Sequence, residues 1–143
     1  MKYKILYGGK NKKISSKLNF IYFDVLVNKN STMPFIPLNY SGMKKSLNKL
    51  LNPNDIVIKT KTPPKLEIDY PLNNPYIKQL DKCVWTRLEI AKMVAETYQK
   101  IYKEELEGTE KKYGIYGHSI EDLVLTTVIY NSKKNIITLT VDS

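Results

Sequence analysis

The sequence predicts an α+β protein in which a mainly antiparallel sheet packs against one long helix. Three stretches support this prediction. Residues 86–107 repeat apolar side chains at helical spacing, residues 18–27 alternate along a run rich in aromatic and β-branched side chains, and residues 123–141 form two alternating runs around a polar turn. A chain of 143 residues is long enough for one hydrophobic core and short for two. We therefore expect residues 1–143 to fold as a single domain.

The predicted helix, about 86–107, has start and stop signals at its ends. Thr86 is a favourable N-cap, and Glu89 three residues later can accept the free amide of the cap, which completes a capping box. Gly108 follows the last helical residue as a stop signal. Apolar residues recur at three- and four-residue steps and give the helix a face broad enough to cover a sheet. That face comprises Leu88, Ile90, Ala91, Val94, Ala95, Tyr98, Ile101, Tyr102 and Leu106.

Strands are expected in both halves of the chain. Residues 2–7 and 18–27 are predicted strands in the N-terminal half, joined by a turn at Gly8-Gly9. Residues 123–130 and 135–141 are predicted to form a closing β-hairpin. All seven prolines lie between these two regions, ahead of the helix, so the middle of the chain should be extended and rich in turns. The predicted inward-facing residues are Ile21, Phe23, Val25 and Val27 in the N-terminal half and Ile137, Leu139 and Val141 in the hairpin.

Charge is distributed unevenly between the two halves of the chain. Residues 1–65 hold 13 lysines against Asp24 and Asp55, a net charge of +11, whereas residues 66–143 have a net charge of −2. Such an uneven basic charge suggests an anionic partner such as nucleic acid. The alternative is a composition bias, since lysine outnumbers arginine by 22 to 1, as expected for an AT-rich genome. That bias would replace arginine with lysine, but it would not by itself remove acidic residues from one half.

The lysines of the N-terminal half are the candidate phosphate contacts. The segment KTKTPPK at 59–65 places three of them beside Pro63-Pro64, a pair that favours an extended and exposed backbone. The alternative reading of this segment is a solvated linker between strands, because runs of like charge often have no partner. The predicted phosphate-binding residues are Lys10, Lys12, Lys13, Lys59, Lys61 and Lys65.

Composition argues against several classes of protein. Cys83 and His118 are the only cysteine and the only histidine, so the chain cannot form an internal disulfide or a standard structural zinc site. The opening residues alternate charged and apolar side chains where a secretory signal would need a continuous apolar run. The longest apolar run, residues 20–27, is interrupted by Asp24 and is too short for a bilayer span. We expect a soluble intracellular protein with no membrane contact, no metal and no cofactor.

The loop after the helix is the candidate binding site, because it brings Tyr113, Tyr116 and His118 close together in the sequence. His118 is also the starting point for any acid–base chemistry, with Asp122 as a candidate partner. Ser119 and Asp122 have capping-box spacing, however, so a short helical turn explains both of them. A binding or structural role for His118 is favoured over catalysis, since no second motif completes an active site.

The last part of the chain resembles a known group of proteins. The run YGIYGHSIEDLVL at 113–125, with YPL at 70–72, the helix end YQKIYKEELE and the terminal Asp142-Ser143, is similar to an uncharacterised family of small proteins encoded by large nucleocytoplasmic DNA viruses. That family is expected to have Trp where this chain has Tyr116. The resemblance covers about residues 66–143 and does not include the basic half. It implies a viral origin and a place in the host cytoplasm, the viral factory or the virion, without implying an activity or a fold.

Three functions follow from these observations. The favoured one, mainly by elimination, is a non-enzymatic viral accessory protein that acts as a protein-interaction or scaffold module. The second is a nucleic-acid-binding accessory protein that uses the basic half. The third is a small enzyme centred on His118. A protein partner is expected in the first case and nucleic acid in the second, and the sequence predicts no oligomeric state.

Overall fold

A computed structural model describes residues 17–109 and 111–143 of the chain. Within these residues it contains ten β-strands, two α-helices and one 3₁₀ turn. The strands are β1 (Leu18–Tyr22), β2 (Val25–Asn28), β3 (Ser31–Met33), β4 (Ile36–Pro37), β5 (Ile56–Lys59), β6 (Lys65–Ile68), β7 (Tyr76–Gln79), β8 (Val84–Thr86), β9 (Val124–Asn131) and β10 (Ile136–Asp142). The helices are α1 (Tyr40–Leu47) and α2 (Arg87–Glu107), and the 3₁₀ turn is Ile120–Asp122. The predicted strand at residues 2–7 lies outside the described residues.

The largest sheet of the described residues has six strands and is mixed. Its order is β1-β9-β10-β6-β7, and β4 pairs with the N-terminal end of β9. The α+β class, the long helix and the C-terminal hairpin are confirmed, but β6 and β10 run parallel, so the sheet is not purely antiparallel. A parallel pair requires a long crossover connection, and here that connection includes α2. Two smaller sheets, β2–β3 and β5–β8, each have two strands.

Helix α2 begins and ends close to the predicted residues. Thr86 Oγ1 accepts the Glu89 N–H at 3.2 Å and Glu89 Oε1 accepts the Thr86 N–H at 2.9 Å, so the capping box is formed. Gly108 ends the helix with a φ of −83°, without the left-handed conformation that glycine often supplies there. The buried face differs from the prediction in the last turn, where Leu106 is 76% exposed and Glu105 is only 4% exposed. Neither described α-helix is long and apolar enough to cross a membrane.

The strand predicted over residues 18–27 is broken in two. Three of its four predicted inward residues are buried, but Val27 is 54% exposed. The chain turns at Asp24, whose carbonyl oxygen accepts the Leu51 N–H at 2.9 Å. As a result β1 belongs to the large sheet, while β2 pairs with β3 in a separate hairpin.

The inner face of the large sheet and the buried face of α2 belong to one hydrophobic core. Its fully buried members include Leu66, Ile68, Ile90, Val94, Ile101, Leu125, Val128 and Ile137. Gln99 adds a polar link across this core, since its Nε2 donates to the Leu38 carbonyl at 2.9 Å. The same core includes Ile21 of β1 and Ile36 of β4, so residues from both halves of the chain contribute to it.

The parallel pairing of β6 and β10 gives the sheet two different ends. Both strands begin at one end, where Lys65 pairs with Ile136, and we call this the Lys65 end. Both run toward the other end, where Tyr70 follows β6 and Ser143 follows β10, and we call this the Tyr70 end. Because β10 is seven residues long, about 20 Å separates the two ends.

Candidate functional site

An aromatic surface lies at the Tyr70 end of the sheet. We call Tyr70, Tyr116, His118 and Ser143 the aromatic cluster. The Tyr70 ring meets the Tyr116 ring edge-on with centroids 6.3 Å apart, and its centroid lies 5.9 Å from that of His118. Tyr116 is 47% exposed, whereas Tyr70 and His118 are half-buried. The cluster therefore exposes the Tyr116 ring to solvent beside the half-buried rings of Tyr70 and His118.

Three polar side chains of the aromatic cluster form a hydrogen-bonded row. The Tyr70 hydroxyl lies 2.9 Å from Ser143 Oγ, and Ser143 Oγ lies 3.2 Å from His118 Nε2. A serine hydroxyl can accept one hydrogen bond while it donates another, so Ser143 can join the other two groups. The row links the Tyr70 and His118 side chains through Ser143.

Helix α2 holds the aromatic cluster from beneath. The Tyr98 hydroxyl donates to the Tyr70 carbonyl at 2.6 Å, and the Tyr102 hydroxyl donates to the His118 carbonyl at 3.0 Å. Residues four apart lie on one helix face. One face of α2 therefore contacts both segments that carry the cluster, the one with Tyr70 and the one with Tyr116 and His118. Burial raises the pKa of Tyr102 to about 12 and raises the pKa of Tyr98 as well. Both hydroxyls therefore keep their protons and remain donors at neutral pH.

A buried carboxylate anchors the loop that carries Tyr116. Glu105 Oε1 accepts the Tyr113 N–H at 2.9 Å, and Oε2 accepts the Ile115 N–H at 2.7 Å. These bonds, from Ile115 first and then Tyr113, lower the pKa of Glu105 below its ordinary value. The sequence prediction missed this residue. Its spacing of three residues from Tyr102 on the buried face of α2 is the signal that could have identified it.

The two segments of the aromatic cluster are also joined through their backbones. The Tyr116 N–H donates to the Pro71 carbonyl at 3.0 Å, and the Asn73 N–H donates to the Gly114 carbonyl at 3.0 Å. Gly114 has a φ of +66°, and a Cβ atom at this position would lie 2.9 Å from Asn73 Cβ. Only glycine satisfies both the backbone conformation and this close approach. The surface ring of Tyr116 thus stands on a segment with fixed geometry.

Tyr113 lies in the core, unlike the other two residues of the predicted binding set. It is 6% exposed, and its hydroxyl donates to Glu104 Oε1 at 2.7 Å. Burial and then this bond raise the pKa of Tyr113 to about 12. Its ring meets the Tyr76 ring edge-on at 5.7 Å. Tyr113 therefore supports the loop from inside, while Tyr116 and His118 lie together at the surface.

Asp122 lies next to Ser119, with a distance of 3.4 Å from Ser119 Oγ to Asp122 Oδ2. The predicted helical turn is present as Ile120–Asp122, but the Ser119 side chain makes no hydrogen bond to its backbone. Among the residues that the structure describes, no hydrogen bond or ion pair joins Asp122 to His118. The catalytic pairing of these two residues stays a prediction without geometric support.

The predicted phosphate-binding lysines that the structure describes lie away from the aromatic cluster. Lys59 ends β5, Lys61 lies in the next loop and Lys65 begins β6, and all three are exposed. Lys65 defines the end of the sheet opposite Tyr70. The other three predicted lysines, Lys10, Lys12 and Lys13, lie outside the described residues.

The aromatic cluster offers rings and hydroxyl groups that could contact another molecule, together with one serine–imidazole contact between Ser143 and His118. Within residues 17–109 and 111–143, no three His, Cys, Asp or Glu side chains lie close enough to hold a metal ion. Cys83 is a free, half-buried thiol on a different part of the chain. Rings with polar edges in a fixed arrangement suit contact with another molecule's apolar and hydrogen-bonding groups.

No family model, no curated protein and no solved structure matches the chain. The viral resemblance therefore stays a prediction from the sequence, and the function has to be inferred from the site itself.

Proposed function

We propose that this protein is a non-enzymatic interaction or scaffold module that binds another protein through the aromatic cluster. The observation that carries the proposal is the Tyr116 ring, which is 47% exposed yet held edge-on against Tyr70. Tyrosine is among the residues that contribute most binding energy at protein interfaces. A ring that is already ordered loses little conformational entropy when a partner binds, so more of the free energy gained by burying the ring contributes to affinity.

The polar row of the aromatic cluster adds specificity to this contact. Tyr70, Ser143 and His118 place hydroxyl and imidazole groups beside the exposed Tyr116 ring. These three groups already hydrogen-bond to one another, so a partner that covers the ring must pair with their remaining donors and acceptors, because a polar group buried without a hydrogen bond costs free energy. The proposed partner therefore presents an apolar or aromatic side chain flanked by hydrogen-bonding groups. The proposal includes the viral accessory role, in the host cytoplasm, viral factory or virion, that the sequence resemblance implies.

Affinity capture from infected cells tests the proposal when wild type is compared with two tyrosine variants. Tyr116→Ala removes the exposed ring of the cluster. Tyr40→Ala is the matched control, since Tyr40 is 61% exposed and lies on α1 outside the cluster. The partner should be recovered with wild type and Tyr40→Ala, lost with Tyr116→Ala, and unaffected by nuclease. Recovery of the same partner with Tyr116→Ala, or its loss after nuclease treatment, would contradict the proposal.

One contact favours the small enzyme centred on His118 as a second candidate function. Ser143 Oγ lies 3.2 Å from His118 Nε2, the arrangement of a nucleophile and its general base. An active pair also needs an acid that orients the imidazole, and the hydrogen bonds of the described residues include none from His118 to a carboxylate. Ester hydrolysis by wild type should therefore not exceed that by a folded His118→Ala variant. Hydrolysis that both His118→Ala and Ser143→Ala abolish would establish the enzyme instead.

A further inference from the structure

The Lys65 end of the sheet brings together lysines from three distant segments of the chain. We call Lys17, Lys61, Lys65, Lys133 and Lys134 the lysine row. Lys17 directly precedes β1, and its carbonyl accepts the Ser132 N–H at 2.8 Å. The Lys65 N–H donates to the Asn135 carbonyl at 3.1 Å. The β9–β10 turn, which carries Lys133 and Lys134, therefore lies between the other two segments.

The backbone that carries the lysine row is held by side-chain amides. Asn135 Nδ2 donates to the Thr62 carbonyl at 3.1 Å and to Thr62 Oγ1 at 3.0 Å. Gln79 Nε2 donates to the Pro63 carbonyl at 2.9 Å. The turn is fixed as well, because the Lys134 N–H donates to Asn131 Oδ1 at 3.1 Å. Ordered backbone places the ammonium groups in a defined region before any ligand binds.

Acidic residues are few near the lysine row: Glu67 lies two residues after Lys65, and Asp81 lies on the segment that hydrogen-bonds to residues 60–65. Residues 60–66 and 131–136 contain four of the five lysines and no Asp or Glu. The ion pairs of the described residues are Lys82–Glu89 and Arg87–Asp55, so no lysine of the row is neutralised by one. Lys17 is half-buried and the other four are exposed. The row therefore attracts anions.

The spacing of the lysine row suits an extended anion. Its lysines lie just before β1, in the β9–β10 turn, and at or shortly before the start of β6, and these positions span three neighbouring strand spacings, or about 14 Å. Successive phosphates of one duplex strand rise by about 3.4 Å along the helix axis, so the row is as long as about four such steps. A groove of about 550 Å³ runs between the turn and the loop before β6, with Lys65 and Lys134 in its lining.

We propose that the lysine row binds the phosphate backbone of nucleic acid without reading its base sequence. Base reading commonly uses the forked groups of arginine, asparagine or glutamine. The amides of Asn135 and Gln79 already donate to carbonyl groups of the loop. Arg87, the chain's only arginine, is not part of the lysine row, because its Nε donates to the Tyr22 carbonyl at 3.0 Å. The groups left to bind a ligand at this end are the lysine ammonium groups, which contact phosphates as point charges.

This site is independent of the proposed protein-binding function, because it lies at the opposite end of the sheet from Tyr116. It also includes Lys133 and Lys134, which come from the half of the chain whose net charge is −2. The distribution of charge along the sequence does not reveal these two residues. The hairpin turn places them beside Lys65.

Fluorescence anisotropy with a labelled random-sequence DNA duplex tests the site. The variant Lys133→Gln/Lys134→Gln should bind the duplex at least about tenfold more weakly than wild type, and its log–log salt dependence should be shallower by about two. The matched control, Lys44→Gln/Lys45→Gln on α1, removes the same charge from an exposed pair outside the row and should bind within about twofold of wild type. Wild-type affinity should fall by about 10²–10³ between about 50 and 200 mM salt.

A second variant, Lys61→Gln/Lys65→Gln, tests the same surface from another segment and should lose affinity to a similar extent. The proposal is overturned if both row variants bind like the control, if wild type does not bind the duplex at low salt, or if binding is insensitive to salt. Vesicles that contain phosphatidylserine form the last arm. Binding to these vesicles with none to the duplex would assign the row to a membrane surface and overturn the nucleic-acid proposal.

Discussion

Glu105 shows how one side chain can fix the geometry of a distant surface. Its carboxylate is the acceptor for the Tyr113 and Ile115 amides, and it is 4% exposed. A carboxylate that accepts two backbone N–H groups is stabilised in its charged form, so burial does not leave an unpaired charge. The exposed Tyr116 ring follows directly after this anchored pair of amides. The orientation of the aromatic cluster thus depends on a residue that is itself buried.

Replacing Glu105 with alanine should destabilise the fold and release the loop. Two charge-assisted hydrogen bonds are lost and two amides are left without their acceptor, which together should lower the free energy of unfolding by roughly 2–4 kcal/mol. Urea denaturation followed by circular dichroism measures this change. Glu107→Ala is the control, since Glu107 is exposed on the same helix and its loss should change stability by less than about 0.5 kcal/mol. Equal stability of the two variants would show that the Glu105 anchor is unimportant.

The same carboxylate should make stability depend on pH in the acid range. Its folded-state pKa lies below the ordinary value of 4.5, because the Ile115 and Tyr113 amides favour the ionised form. Its stabilisation is therefore complete above about pH 5 and is lost as pH falls through the folded-state value. The difference in unfolding free energy between wild type and Glu105→Gln should be largest at about pH 7 and shrink toward about pH 3. A difference that stayed constant or grew on acidification would contradict this assignment.

Helical spacing places Glu105 on the buried face of α2, but neither its hydrogen-bond partners nor the burial of Tyr113 could be predicted from the sequence, for a physical reason. A charged residue near a helix end is usually solvated, and its burial here depends on amides eight and ten residues further along. Tyr113 is buried by contacts with Glu104 and Tyr76, which come from two separate elements. The short-range spacing that grouped Tyr113 with Tyr116 carries no information about which ring faces the core.

For helices and strands, the features that could be predicted from the sequence are those determined by local interactions. The α2 capping box involves residues three apart, and the apolar face repeats within single turns, so both appear in the sequence and in the fold. The break of the N-terminal strand at Asp24 was not predicted, because it depends on a hydrogen bond with a residue of the α1–β5 connection. The parallel pair of β6 and β10 was missed for a related reason, since about 70 residues separate the paired positions Lys65 and Ile136.

The capping box gives a prediction at this scale. Thr86→Ala removes the hydroxyl that accepts the Glu89 N–H at 3.2 Å and should lower the free energy of unfolding by about 1 kcal/mol. Thr86→Ser keeps a hydroxyl in the same place and should retain most of the wild-type stability. Thermal denaturation of the three proteins compares these values. If alanine and serine have the same effect, the stabilisation comes from another property of this position.

At the scale of the whole molecule, the parallel pair separates two kinds of surface. Strands β6 and β10 both begin among the lysines of the row and both end beside the aromatic cluster. An antiparallel pairing of these strands would instead place Ser143 near Lys65 and divide both groups. The arrangement thus places the basic and aromatic residues of distant segments at opposite ends of one rigid sheet. This separation was not deducible from the sequence, since it follows from the long-range pairing alone.

Two surfaces about 20 Å apart on one sheet should act independently, because substitutions at sites more than about 10 Å apart usually have additive effects. Tyr116→Ala should abolish capture of the protein partner and leave duplex affinity within about twofold of wild type. Lys133→Gln/Lys134→Gln should weaken duplex binding by at least about tenfold and leave capture of the partner intact. The combined variant should show both losses, each of the same size as in the separate variants. Anisotropy and quantitative capture on the same four purified proteins measure the pattern. A lysine variant that also lost the partner would show that the two ends form one interface, with the sheet between them as part of the contact.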